Sequence, residues 1–279
     1  MRDTLFAAQF SLESITSLLD EALDFLIKEG LVESYDSYLR ATDIGRRVSE
    51  LYIDPQTAIT LLRGLSYKEK TGTVGYLHLI ASTPDMPKLY LRRGERSKMT
   101  QLLMGVEDQL LTEPPYDPEE LDFFLAELKT AMVLEDWIDE VPDDEIYEKY
   151  GIGPGDLYSM TQTAEWLLYS AYELAKLRGL ISHLLPLLTL RERVRHGVKE
   201  ELLGLVRIKG IGRVRARALF NAGFKDLDDI AKADIAKLSK VPLIGPSLAK
   251  RLKEAAAVGG GDIGDLPEES ARSTLDRYF

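Results

Sequence analysis

From Ser11 onward the apolar positions Ile15, Leu18, Leu19, Ala22, Leu23 and Leu26 recur at the spacing of one helical stripe, so the sequence predicts a helix capped by Ser11, buried along that stripe and ended by Gly30. Leu31-Val32 and Leu39-Arg40-Ala41 flank a polar turn at Tyr35 to Tyr38 and read as a short β-hairpin, after which Thr42 or Asp43 starts a helix through Leu51. Asp54-Pro55 supplies an N-cap and a proline at the first helical position, opening a helix to about Leu65. Beyond it the pattern is helical throughout. Glu119 to Val141 sets Leu121, Phe124, Leu125, Leu128, Met132 and Ile138 on a common side and is expected to stop before Pro142. Tyr150 to Gly155 is a breaker cluster, and Asp156 then starts a long helix to Leu177. Met160, Ala164, Leu167, Leu168, Ala171, Leu174 and Ala175 are its expected core positions, which leaves Trp166 off the main stripe. A tryptophan on a helix is more often packed than functional. One seated off the stripe can offer its ring to a base, worth about 1–3 kcal/mol when stacked.

The stretch Glu200 to Ala222 has a different form. Leu202, Leu203, Leu205 and Val206 give a first helix its apolar side, Gly210 and Gly212 permit a tight turn, and a second helix follows directly. This is a helix-hairpin-helix pattern, in which backbone N–H groups at the turn and at the start of the second helix make a seat for a phosphate. Lys209, Arg213, Arg215 and Arg217 are expected to surround that seat, with no side chain placed to read a base edge. The expected ligand is nucleic-acid backbone without sequence preference. A dinucleotide fingerprint is rejected, because Arg215 stands at its third glycine and no strand precedes it. A second copy, Val241-Pro242-Leu243-Ile244-Gly245-Pro246 with Leu248, Ala249 and Leu252, follows a linker from Phe224 to Leu238 and raises the pattern above a structural turn.

At 279 residues, 45% apolar and 29% charged, the chain can bury two or three domains. It has no cysteine, which excludes disulfides and thiolate metal sites and fits a reducing cytoplasm. His78, His183 and His196 are too scattered to suggest a metal site. The longest apolar run, Leu177 to Leu190, is broken by Arg178, His183 and Pro186, so no membrane partner is expected, and no signal peptide precedes Ser11. The net charge of −11 is segregated. Acidic residues crowd Gly105 to Lys149, most simply as a solvated face, whereas Arg191 to Arg217 is strongly basic. Lys70-Thr71-Gly72 lacks a phosphate loop and Asp143-Asp144-Glu145-Ile146 follows no apolar strand, so no catalytic residue is assigned and the chain alone is expected to catalyse nothing.

Taken together, Ala41-Thr42-Asp43-Ile44-Gly45, Leu51-Tyr52-Ile53-Asp54-Pro55, Thr83-Pro84-Asp85-Met86, Lys149-Tyr150-Gly151-Ile152, Thr163-Ala164-Glu165-Trp166-Leu167 and Ile211-Gly212-Arg213-Val214-Arg215-Ala216-Arg217 resemble the C-terminal half of archaeal superfamily-2 DNA repair helicases of the Ski-two-like branch. The resemblance implies a mainly α fold: a partial winged helix at 1–66, a helical ratchet bundle at 67–197, a helix-hairpin-helix domain at 198–258 and a tail at 259–279. Only Met1 to Phe10 remain for the helices that open a winged helix, so the chain is expected to begin inside that domain. The family's two RecA-like motor domains, which bind ATP and magnesium, precede these modules and are expected as partners. The resemblance further implies 3′ to 5′ unwinding of forked DNA by the parent protein, at the nucleoid. Its ratchet helix stacks a tryptophan on a base, a role that falls to Trp166, while relatives carry a basic residue where this sequence has Ser159, beside Tyr158. A different reading, a protein-binding regulatory module like those of spliceosomal RNA helicases, fits the same modules; the arginines after Gly212 and the tail favour DNA repair. After Gly259-Gly260-Gly261, the tail places Leu275 three residues before Tyr278-Phe279 and resembles a sliding-clamp-binding motif, with Arg272 where a glutamine usually leads.

Overall fold

The computed structural model describes residues 11–257. The fold is mainly α, and the described residues form one two-stranded sheet. They divide into two compact units: one holds the residues up to Glu135 together with Tyr147–Arg191, the other Asp136–Ile146 together with the residues from Glu192 onward.

In the first unit, α1 (Leu12–Lys28) begins where Ser11 accepts the Ser14 N–H at 3.2 Å. Strands β1 (Val32–Tyr35) and β2 (Tyr38–Ala41) pair antiparallel, Val32 opposite Ala41 and Tyr35 opposite Tyr38. Helix α2 (Asp43–Leu51) is capped by Thr42, whose hydroxyl accepts the Gly45 N–H at 3.0 Å and donates to the Gly30 carbonyl at 2.9 Å. Gly45 is required there, since any side chain would run into the Leu31 carbonyl. Asp54 caps α3 (Pro55–Tyr67), accepting the Gln56 N–H at 2.7 Å. Then come α4 (Thr73–Ala81), α5 (Glu95–Val106), α6 (Pro118–Ile138), α7 (Asp143–Tyr150) and the 25-residue α8 (Pro154–Arg178). Helices α2, α3 and α4 pack along α8. The core positions expected on α8 are all buried.

Two expectations are corrected here. The stripe of α1 is not buried: Ile15 is, but Leu18 and Leu19 are about half exposed, because no described element covers the middle of that helix. Helix α6 ends at Ile138, before the position where Pro142 would stop it. Glu140 adopts a left-handed conformation (φ 67°), its N–H bonds the Trp137 carbonyl at 3.2 Å, and the Val141 N–H bonds the Asp136 carbonyl at 3.0 Å. This is a Schellman ending built on glutamate where glycine is usual.

The second unit has its own core, including Val198, Leu205, Ile208, Ile211, Leu219, Ile230, Leu238, Ile244 and Leu252. Its elements are the end of α9 (Leu184–His196), a 3₁₀ turn over 200–202, α10 (Leu203–Val206), α11 (Arg213–Asn221), α12 (Leu227–Lys232), α13 (Ile235–Leu238) and α14 (Pro246–Ala257). The first helix of the first hairpin is therefore a 3₁₀ turn and one α turn, shorter than expected. The buried positions repeat thirty-three residues on: Leu205, Ile208, Ile211, Ala216 and Leu219 recur as Leu238, Val241, Ile244, Ala249 and Leu252.

Candidate nucleic-acid interface

The first hairpin turns through two short bonds, Ile208 N–H to Leu205 O at 3.1 Å and Ile211 N–H to Ile208 O at 3.0 Å, with Gly210 left-handed at φ 86°. Gly212 caps α11 from an extended conformation, and its carbonyl accepts the Ala216 N–H at 3.0 Å. The N–H groups that open α11 thus lie ahead of its internal ladder. Val206 to Gly212 form the floor of an open concavity of roughly 630 Å³, completed by Glu192, Arg195, His196 and Arg215. Four cations, Arg195, Arg207, Lys209 and Arg215, line it against the single carboxylate of Glu192. Arg215 reaches back over the turn to donate to the Gly210 carbonyl at 3.0 Å. Arg195 and Arg207 belong to the basic run but were not singled out as site residues; their signal was a place in the last turn of α9 and just before the hairpin turn.

Arg213 and Arg217 do not line this concavity. Arg217 makes a bidentate pair with Glu140 at 2.8 and 2.6 Å and adds Glu201 at 2.9 Å. Arg213 donates to Asp143 at 2.9 Å and to the Val141 carbonyl at 3.2 Å, and its guanidinium lies 4.5 Å from the centre of the Trp137 ring. Trp137 is fixed in turn by its indole N–H on the Val194 carbonyl at 2.7 Å and by Gly197, whose left-handed backbone (φ 61°) lies against the ring where a side chain would collide. Burial pushes the Glu140 carboxyl up, but hydrogen bonds from Arg217 and the Lys199 N–H outweigh it and hold that carboxyl below the ordinary value. Both arginines are held by carboxylates some seventy residues earlier in the chain, and Arg217 also by Glu201. Those carboxylates also correct the reading of the acidic stretch as wholly a solvated face.

The second hairpin follows the same path: Val241 N–H to Leu238 O at 3.1 Å, Ile244 N–H to Val241 O at 3.1 Å, and Ala249 N–H to Gly245 O at 2.9 Å. Its outward chemistry differs. Pro242 replaces Lys209, Pro246 replaces Arg213 and removes a donor, and Leu243 replaces Gly210. Leu243 keeps the left-handed backbone (φ 65°) at a cost of about 1–2 kcal/mol. Leu243 is 62% exposed.

In the first unit, Trp166 is half-buried on α8, and its indole N–H donates to the Leu51 carbonyl at 3.0 Å, which fixes the ring's orientation. Tyr158 and Ser159, both about two turns earlier, are exposed. Arg47 bonds Glu173 at 2.8 Å and Tyr169 at 3.3 Å, and Arg191 bonds Glu165 at 3.1 Å, so the polar residues around Trp166 are held by ion pairs. Leu275, Tyr278 and Phe279 lie outside the described residues, as does Arg272. Among the described residues no cluster of three or more histidines and carboxylates could hold a metal ion, and no helix is long and apolar enough to cross a membrane.

Two family models match the chain: one described as archaeal helicase, domain 4, over residues 74–197, and one described as a SAM-like helix-hairpin-helix tandem, over residues 200–257. The ATP-dependent DNA helicase Hel308 of Aeropyrum pernix is 36% identical to it over 98% of this chain and 36% of the relative. That of Methanocella arvoryzae is 38% identical over 99% of this chain and 38% of the relative. That of Thermococcus kodakarensis is 44% identical over 79% of this chain and 20% of the relative. The chain thus spans little more than a third of the length of the first two of these curated relatives.

Proposed function

The chain belongs to the archaeal superfamily-2 DNA helicases of the Ski-two-like branch, whose C-terminal part it resembles, and on that premise we propose that it holds and guides DNA for an ATP-dependent helicase. The parent enzyme would move 3′ to 5′ on forked or single-stranded DNA in replication-coupled repair, in the cytoplasm at the nucleoid. ATP and magnesium would be held by its RecA-like motor domains, and this chain alone would hydrolyse nothing. The observation that carries the proposal is the concavity at the first hairpin, where backbone N–H groups opening α11 meet Arg195, Arg207, Lys209 and Arg215. Gly210 and Gly212 let a phosphate approach the turn closely. Arg213 and Arg217 support that surface from behind. Trp166 supplies a base-stacking face on the long helix.

The test is titration of the chain with labelled fork, single-stranded and duplex DNA and with RNA of matched sequence, over a range of salt. Binding to DNA that weakens steeply with salt and ignores sequence is expected. Tighter binding to RNA, or hydrolysis of ATP by the purified chain, would contradict the proposal. The tail adds a separate arm: Leu275, Tyr278 and Phe279 would plug a pocket on a sliding clamp, and a chain ending at Glu269 should lose clamp binding while keeping DNA binding.

A further inference from the structure

The second hairpin is built like the first and yet cannot work in the same way. Pro246 brings no N–H to the start of α14, and Leu243 puts a side chain where Gly210 leaves the turn open. Left-handed non-glycine residues elsewhere have a local reason. Glu140 is held by Arg217, and Tyr52 closes α2 with its N–H on the Ser49 carbonyl at 3.2 Å. Leu243 is likewise held by its turn, the Ile244 N–H bonding the Val241 carbonyl at 3.1 Å, but the position carries an exposed leucine where the first copy has Gly210. The space beside it is open as well: a side chain built at Gly245 would meet nothing within 4 Å, as at Gly212. Exposed Lys240 stands just before this apolar tip.

We infer that Leu243 is an apolar contact to DNA, packing against the sugar or base face at a strand junction beside the phosphate that the first hairpin holds. The two turns share one buried core, so a strand seated on the first has a fixed neighbour in the second. Lys240 suits a phosphate next to the contacted nucleotide. Leucine is among the residues that proteins press between base steps, where an apolar wedge is stabilised by stacking surface that water covers poorly. The inference rests on the proposed DNA binding and adds a division of labour: phosphate at the first hairpin, an apolar nucleotide surface at the second.

The experiment compares the full chain with Leu243→Gly and Leu243→Met, using forked DNA that carries 2-aminopurine at the junction. Leu243→Gly should bind roughly five- to tenfold more weakly, the scale of one desolvated apolar contact. It should lose the junction fluorescence change, leave the salt slope unaltered, and melt at the same or a higher temperature because glycine relaxes the turn. Leu243→Met should bind like the unaltered chain. Undiminished binding by Leu243→Gly, a shallower salt slope, or a lower melting temperature would each overturn the inference, the last by showing that the side chain serves the fold. If the unaltered chain bound no DNA, both readings would fall; normal binding by Leu243→Gly removes this one alone.

Discussion

The two hairpins of the second unit share a backbone and a buried pattern but little else. Ile208 and Val241, Ile211 and Ile244, and Ala216 and Ala249 occupy matching core positions, whereas at the turn Lys209 and Gly210 give way to Pro242 and Leu243, and Arg213 gives way to Pro246. The turn geometry is therefore set by inward apolar residues and a few backbone bonds, and the outward residues are free to take up different chemistry. A further division runs within the first hairpin, since Arg215 lines the concavity while Arg213 and Arg217 turn to Asp143 and Glu140. Arginines two residues apart on a helix point in different directions, one toward the concavity and the others toward carboxylate partners.

The sharpest way to break this comparison is to remove an inward arginine. Arg217→Ala strands Glu140 with most of its carboxylate shielded, and should cost the second unit roughly 2–4 kcal/mol in denaturant unfolding. If it left stability intact but cut DNA affinity, the inward assignment would be wrong. Trp166→Ala should remove about 1–3 kcal/mol of the preference for unpaired bases, read as the ratio of affinities for single-stranded and duplex DNA. An unchanged ratio would mark the ring as packing only. Lys209→Ala with Arg215→Ala should weaken binding to all sequences alike and make the salt slope shallower by about one for each cation lost, with little change in melting temperature.

The smallest effect is with pH. Because its partners hold the folded Glu140 carboxyl below the ordinary value of 4.5, the stabilisation is present above that value and disappears as pH falls through the folded one. Acid unfolding monitored below about pH 4.5 should be shallower in Glu140→Gln than in the unaltered chain, and a superimposable pair of curves would remove the pair from the account of stability.

Much of this was legible in the sequence because it is local. Ser11, Thr42 and Asp54 cap the helices that their positions announced, the hairpin strands pair around the expected turn, and the repeated glycine turn gave away both hairpins. What could not be read was long-range. Nothing near Arg213 indicates that Val141 and Asp143 will meet its guanidinium, and nothing near Glu140 says that glutamate will take a glycine's conformation. A charge run shows where cations are abundant, not which of them are already paired. The same limit hid the exposure of Leu18 and Leu19, for periodicity shows which face of a helix is apolar and is silent about whether anything covers it.

The excursion of Asp136–Ile146 into the second unit has a practical bearing on how the protein can be taken apart. A fragment begun at Glu192 would include both glycine turns and every cation of the concavity, yet it would lack Trp137, Glu140 and Asp143. Arg213 would then be left as a loose positive side chain, and Arg217 would keep only Glu201 as a partner. Such a piece should bind nucleic acid more avidly, and less discriminately, than the same residues do in the whole chain. Its affinity would be a poor guide to the protein from which it came.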